Sequence, residues 1–440
     1  MKPLPLIRCS RILCACAMIV LFTSRESFAQ LDFEGEPINY NTAPESNRIA
    51  ELAARLESGE IELEYDKKHG YLPSLLEALD VPVSSQMLVF SKTSFQLRRI
   101  SPRRPRALYF NDDVYIGWVQ RGDVIEISTA DRELGGVFYT LSQEESEQPR
   151  FIRDRGQCLT CHASSRTADV PGHFVRSVYA DDDGEPLFGF GTFTTDDRSP
   201  FVERWGGWYV SGTHGKQRHM GNVMMESYED EKAFDREAGA NVTNLETLLN
   251  VSPYLTETSD IVSLMVLEHQ SQTHNQITRT AFETRSALHY DSVMNKALDR
   301  EADYRSDTTT RRIDSVADKL IDRLLFVGEF PLEAPVEGTS GFANDFVSRG
   351  PFDSQGRSLR ELDLTHRLMK YPCSYLIYSQ SFDGLPDVAK EVIYRRLHQI
   401  LTGADNDERY AHLTPAIRKS ILQILRETKN DLPDYWKGNG

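Results

Sequence analysis

The stretch ALYFNDDVYIGWVQRGDVIEI, residues 107–127, decides the fold class. It holds three short apolar runs, 107–110, 114–119 and 124–127, built from Val, Ile, Tyr, Phe and Trp, which suit a pleated, half-buried surface. Asn111-Asp112-Asp113 and Arg121-Gly122-Asp123 separate them, and both triplets hold residues that reverse a chain in a few steps. Runs this short and this tightly joined predict antiparallel hairpins. Met87-Leu88-Val89-Phe90 upstream and residues 137–141 downstream continue the pattern. The expectation is an antiparallel meander.

Outward from the meander the period becomes helical. Ser46 or Asn47 can cap a helix running to about Glu57, with Ile49, Leu52, Ala53 and Leu56 on one face. A second short helix is expected near 73–79. Beyond Asn241 helices dominate: 261–298, as one long helix or two stacked ones, then 311–327, 389–401 and 415–428. Residues 174–179 and 187–194 alternate like strands. The fold class is therefore α+β, with a β-rich amino-terminal half and a predominantly α-helical carboxyl-terminal half.

Between the meander and the helices lies Cys158-Leu159-Thr160-Cys161-His162, which reads C-x-x-C-H. Two thiols three positions apart can add across the vinyl groups of one haem, and the histidine that follows is delivered to the iron. Half of a zinc site and a thioredoxin-like redox pair are the competing readings. Zinc wants four ligands, usually as two close pairs, and the only other cysteine outside the leader is the distant Cys373. A redox pair would open a helix after a strand in a thioredoxin-like unit, which the flanking residues do not suggest.

The motif resembles the haem-attachment site of c-type cytochromes, and Cys158, Cys161 and His162 carry that resemblance. It covers this one segment. It implies one covalent haem c, with His162 as the proximal iron ligand, and attachment outside the bacterial cytoplasm. The β-rich half is then the part that carries the haem.

The sixth ligand decides what such an iron does. Met or His there restricts it to electron exchange, whereas an open face admits small molecules. Met220 is the first candidate, beside Gly221, and His219 and His214 are alternatives, with His173 behind them. His269 and His274 lie five apart on a helix that also carries His289; that is a poor spacing for a joint metal site, either alone could reach the haem, and a solvated helix histidine is their default. The preferred reading is an exported monohaem cytochrome that passes single electrons. The alternative is a peroxidase-like or other small-molecule haem oxidoreductase, or a gas sensor, with Arg204, Tyr209, His214 and His219 lining an open distal site. The glycines of residues 204–215 fit close backbone approach, either to a flat cofactor or inside a core hairpin.

The ends and totals set the compartment. Lys2, Arg8 and Arg11 precede an apolar run at residues 12–23, too short to span a bilayer, and Ser27-Phe28-Ala29 fits a cleavage site, so residues 1–29 are expected to be a secretory signal. The periplasm is the expected location. The leader carries four positive charges (Lys2, Arg8, Arg11, Arg25) and one negative (Glu26), so a net charge of −16 becomes −19 on its removal. That acidity disfavours nucleic acid, and it suits a redox protein with a basic docking surface. No later stretch is long and apolar enough to span a membrane. Residues 98–106, with Arg98, Arg99, Arg103, Arg104 and Arg106, form a local basic cluster; it is either an exposed loop or a source of arginines for haem propionates. Cys373, in an aromatic setting, reads as an inert buried thiol. The expected organisation is a module at 30–150, a haem-binding segment at 151–227, a helical region at 228–330, a linker or long loop at 331–358 and a helical region at 359–440.

Overall fold

The computed structural model describes residues 32–225 and 234–437. The expected signal peptide lies outside them. The first helices, α1 (Arg48–Glu57) and α2 (Leu72–Ala78), form where the apolar spacing places them. Asn47 caps α1, its Oδ1 accepting from the N–H groups of Ile49 and Ala50 at 3.0 Å each.

The expected meander is present and longer than read. Strands β1 (Met87–Val89), β2 (Arg106–Phe110), β3 (Val114–Trp118), β4 (Val124–Asp131), β5 (Gly135–Ser142) and β6 (Phe151–Arg153) pair antiparallel in sequence order. Asn111 makes the β2–β3 turn by accepting from the N–H groups of Asp113 and Val114. In β4 the alternation is plain, with Ile125 and Ile127 buried and Val124, Glu126 and Ser128 only partly so. Strand β3 is buried on both faces, so the sheet is covered on both sides there.

After β6 the chain makes one helical turn, α3 (Leu159–His162), and a small hairpin of β7 (Val175–Val178) and β8 (Thr192–Thr195). Strand β9 (Trp208–Tyr209) then returns to pair with β1, closing the sheet as β6-β5-β4-β3-β2-β1-β9. Strand β10 (Gly212–Thr213) leaves the sheet directly afterwards.

The carboxyl-terminal half is built on α4 (Ile261–Ala297), a single helix of 37 residues. Its sequence has no one apolar stripe, because Glu268, His269, Gln270, Ser271, Thr273, His274 and Asn275 are all buried. Buried polar groups need partners, and α4 finds them on every side. Ser263 donates to Ser85 O, and Gln270 Nε2 to Asn111 O and Tyr115 Oη. His274 bonds Asp112 O and Ser381 Oγ. The helix is a polar hub that ties sheet to helices.

Helix α5 (Asp307–Leu324) packs along α4. The stretch 331–358, read as a linker or long loop, is built into the body. Strand β11 (Glu337–Gly338) pairs with β10, and α6 (Phe342–Ser348) buries Phe342 and Phe346. Asp260 holds this region to α4: one carboxylate oxygen caps the helix, and the other accepts from the N–H groups of Thr339 and Ser340. Glycine and serine there serve these close contacts rather than flexibility. Helices α7 (Gln380–Asp383), α8 (Asp387–Thr402) and α9 (Pro415–Thr428) complete the chain. One apolar cluster runs from Phe33 to Trp436, so the β-rich and helical halves share a core. Among the described residues, no helix is long and apolar enough to cross a membrane.

Candidate functional site

Strand β6 delivers the C-x-x-C-H motif, and Asp154 starts its turn. Asp154 Oδ2 accepts from the N–H groups of Gly156 and Cys158 at 3.0 and 2.9 Å. Cys158 then serves as the N-cap of α3, its carbonyl accepting from the N–H groups of Cys161 and His162. Leu159 is buried and pins the turn to the core. Cys158 is half-buried and Cys161 exposed, and neither is in a disulfide. One turn therefore presents two unpaired thiols at i and i+3 and an imidazole at i+4, the spacing that shares a helix face.

The Cys158 thiol is pushed up to about 12, first by burial and then by the Asp154 carboxylate. That is the opposite of the depressed pKa that makes a redox-pair thiolate. It speaks against thiol–disulfide exchange by Cys158 in the haem-free fold.

His162 is fixed by its backbone surroundings. Its Nδ1 lies 2.9 Å from Gly172 O, and a carbonyl can only accept, so Nδ1 carries the proton and Nε2 keeps its lone pair. Burial holds the ring neutral by lowering its pKa. Nε2 has no hydrogen-bond partner among the described residues. Phe138 and Phe174 flank the ring, with centroids 4.9 and 5.0 Å away. This is the preparation a metal-binding imidazole needs: one nitrogen held by a carbonyl, the other free.

Charge is placed beside the motif by a missing side chain. Gly117 of β3 sits under the Arg106 guanidinium, where a Cβ would lie 2.1 Å from Nη2. Arg106 can therefore cross β3 and pair with Glu126 of β4 at 2.7 Å. Both charges act on Cys158 and on His162. The basic cluster thus splits, since Arg99 pairs with Asp123 at the surface while Arg106 faces the motif.

No family model, curated protein or solved structure matches this chain. The residues themselves carry the argument.

Two unpaired thiols on one turn and a free imidazole nitrogen between aromatic rings fit a covalently held haem. Cys158, Cys161 and His162 would hold it. Among the described residues, no group of three or more His, Cys, Asp and Glu side chains is arranged to hold a bare metal ion.

Of the other singled-out residues, His173 adjoins the motif, sharing Phe138 with His162 and with neither ring nitrogen bonded among the described residues, and the rest lie elsewhere. His214 has both ring nitrogens bonded, Nδ1 to Gln217 O and Nε2 accepting from Asn241 N–H. His219 packs on Trp205 and His214, its Nδ1 accepting from Gly221 N–H. Met220 is enclosed with Tyr179, Val223, Met225 and Phe234, and its sulfur accepts only a long 3.7 Å bond from Ser177 Oγ. Among the described residues, no hydrogen bond or ring contact joins these three to the motif. His269 bonds Ser374 Oγ and stacks on Phe326. His289 approaches Glu36 at 3.9 Å. Arg204 is locked to Glu268 and Tyr209 donates to Pro102 O, so the polar atoms of both are engaged by the protein itself. The glycines of 204–215 serve the protein's own backbone: a Cβ at Gly206 would meet Val178 O at 2.4 Å, and one at Gly207 would meet Ser91 Cβ at 2.6 Å. Cys373 is buried, its thiol pushed up to about 12 by burial, as an inert core residue should be.

Sequence reading missed Asp154, Phe138, Gly172 and Asn275. The last comes from α4, far along the chain, and nothing local to the motif points to it.

Proposed function

We propose that this chain is an exported protein carrying one haem c, joined by thioethers to Cys158 and Cys161 and ligated by His162, and that it transfers single electrons to or from a redox protein. The observation that carries the reading is the state of His162: Nδ1–H is given to the Gly172 carbonyl while Nε2 is left free beside two unpaired thiols. When bound, the haem supplies the one-electron couple. The chain's part is to hold it, to fix the imidazole tautomer through Gly172, and to set the local field through Arg106 and Glu126. The acidic balance of the chain suits a partner with a basic docking face.

Visible absorption of protein exported by a host that attaches c-type haem tests this. A covalent haem spectrum that survives denaturation is expected, and Cys158→Ser with Cys161→Ser abolishes it. A colourless wild-type protein would overturn the proposal and return the thiols to other chemistry.

A second reading rests on the distal candidates. His214 has no free nitrogen, and Met220 and His219 are packed into the 204–225 core rather than against the motif. That favours an iron with one open face, hence small-molecule binding or chemistry. Carbon monoxide added to the reduced protein separates the two. An unmoved low-spin spectrum, sensitive to Met220→Ala, supports electron transfer with Met220 as ligand, and a shifted one supports the open site.

A further inference from the structure

We propose that Asn275 of the long buried helix α4 is a positioning residue for His162, acting through the Gly172–His173 backbone; this rests on the reading of His162 as the iron ligand. Asn275 is buried, and its amide grips residue 173 at both ends. Oδ1 accepts the His173 N–H at 2.8 Å, and Nδ2 donates to the His173 carbonyl at 2.7 Å. An amide can do both at once, as a neighbouring strand would; a carboxylate can only accept. The fit is close, because a Cβ on Gly172 would lie 2.1 Å from Asn275 Oδ1.

The opposite side of the same segment is held by β5. Gly136 N–H donates to Pro171 O at 2.8 Å, and a Cβ at Gly135 or Gly136 would strike Pro171 O or Gly172 N. Between these two grips, Gly172 closes a ring with the motif. Its N–H donates to His162 O at 2.9 Å, and its carbonyl accepts from His162 Nδ1 at 2.9 Å. The orientation of that carbonyl, and with it the tautomer and basicity of the imidazole, is therefore set from the carboxyl-terminal half. Outer partners of a metal-bound histidine tune ligand strength by 10–100-fold when removed.

The test is Asn275→Ala, with Asn275→Asp as the conservative variant that keeps the acceptor and loses the donor. Both are measured in the haem-loaded chain and in the chain made without haem attachment. Loaded Asn275→Ala is expected to keep its covalent haem, since the thiols are untouched. Its reduction equilibrium shifts toward the ferrous form by up to about tenfold, equal to 59 mV for one electron, because a looser carbonyl makes a less basic imidazole. Asn275→Asp sets a carboxylate oxygen against the His173 carbonyl, so it too is expected to loosen that grip and change the His162 tautomer in the haem-free chain. In the haem-free chain, nitrogen NMR of His162 is expected to pass from Nδ1–H alone to a mixture of tautomers. An unchanged potential with an unchanged tautomer in folded Asn275→Ala overturns the inference. Absence of covalent haem in the wild-type chain overturns the functional reading instead, and the tautomer measurement still decides Asn275.

Discussion

Asp154 Oδ2 and the Cys158 backbone are joined at 2.9 Å, which holds a carboxylate against the thiol it helps to position. Burial first, and then this carboxylate, raise the pKa of the Cys158 thiol. Replacing Asp154 with Asn preserves a hydrogen-bond acceptor and removes the charge. The Cys158 pKa then falls, and its alkylation in haem-free protein speeds up by as much as about tenfold per pKa unit. Mass-resolved alkylation of Cys158 against Cys161 as internal control measures it. Equal rates in variant and wild type would show that burial alone holds the thiol up.

Arg204 and Glu268 form a pair closed to solvent, Nη1 to Oε2 at 3.0 Å. Arg204 also donates to Ser199 O and Asp197 O. Removing one partner of such a pair leaves the other buried and uncompensated. Arg204→Met is expected to cost about 3 kcal/mol in urea unfolding, and Arg204→Met with Glu268→Leu to recover most of it. A double variant as unstable as the single would contradict this.

The same region gives stability a pH dependence of definite sign. Burial pushes Glu268 up to about 7 against the lowering effect of Arg204, and Glu329 up to about 8. Both hold protons more tightly folded than unfolded. Their contribution is complete below the ordinary glutamate range near 4.5 and is lost as pH rises through 7 and 8. Unfolding free energy should therefore fall between about pH 5 and pH 8, by at most about 1.4 kcal/mol per pH unit for each carboxyl. Glu268→Gln and Glu329→Gln should each flatten part of that slope.

His173 is buried with neither ring nitrogen bonded among the described residues, packed 4.3 Å from the Tyr115 ring. Burial holds it neutral, its pKa far below the usual range. An unpaired buried donor costs about 1–3 kcal/mol. His173→Phe keeps a ring against Tyr115 and is expected to raise stability by about 1 kcal/mol, read by denaturant midpoint. A loss of stability would reveal a partner for one of the nitrogens.

Much of the fold was legible because alternation and turn chemistry act locally. The triplet at 111–113 turns as read, and α9 begins and ends where its apolar spacing does. What escaped reading depends on distant partners. Strand β9 is two residues long and exists because β1 offers an edge. Helix α4 was legible as a helix, but its interior position was hidden, because Gln270, His274 and Asn275 would be solvent-facing in most helices and here each finds a partner from elsewhere in the chain. At the site, Cys158, Cys161 and His162 announce themselves by spacing. The grip on His162 does not, since it is assembled from β5, residues 171–173 and α4.

The closure of the sheet by β9 sets an order of events during synthesis. The thiols lie between β6 and β9, so the motif emerges before the sheet has its last strand, and α4 follows later still. Pairings between residues so far apart form late in folding. Cys158, Cys161 and His162 are thus on an open chain before Asn275 of α4 arrives to hold the backbone at His173.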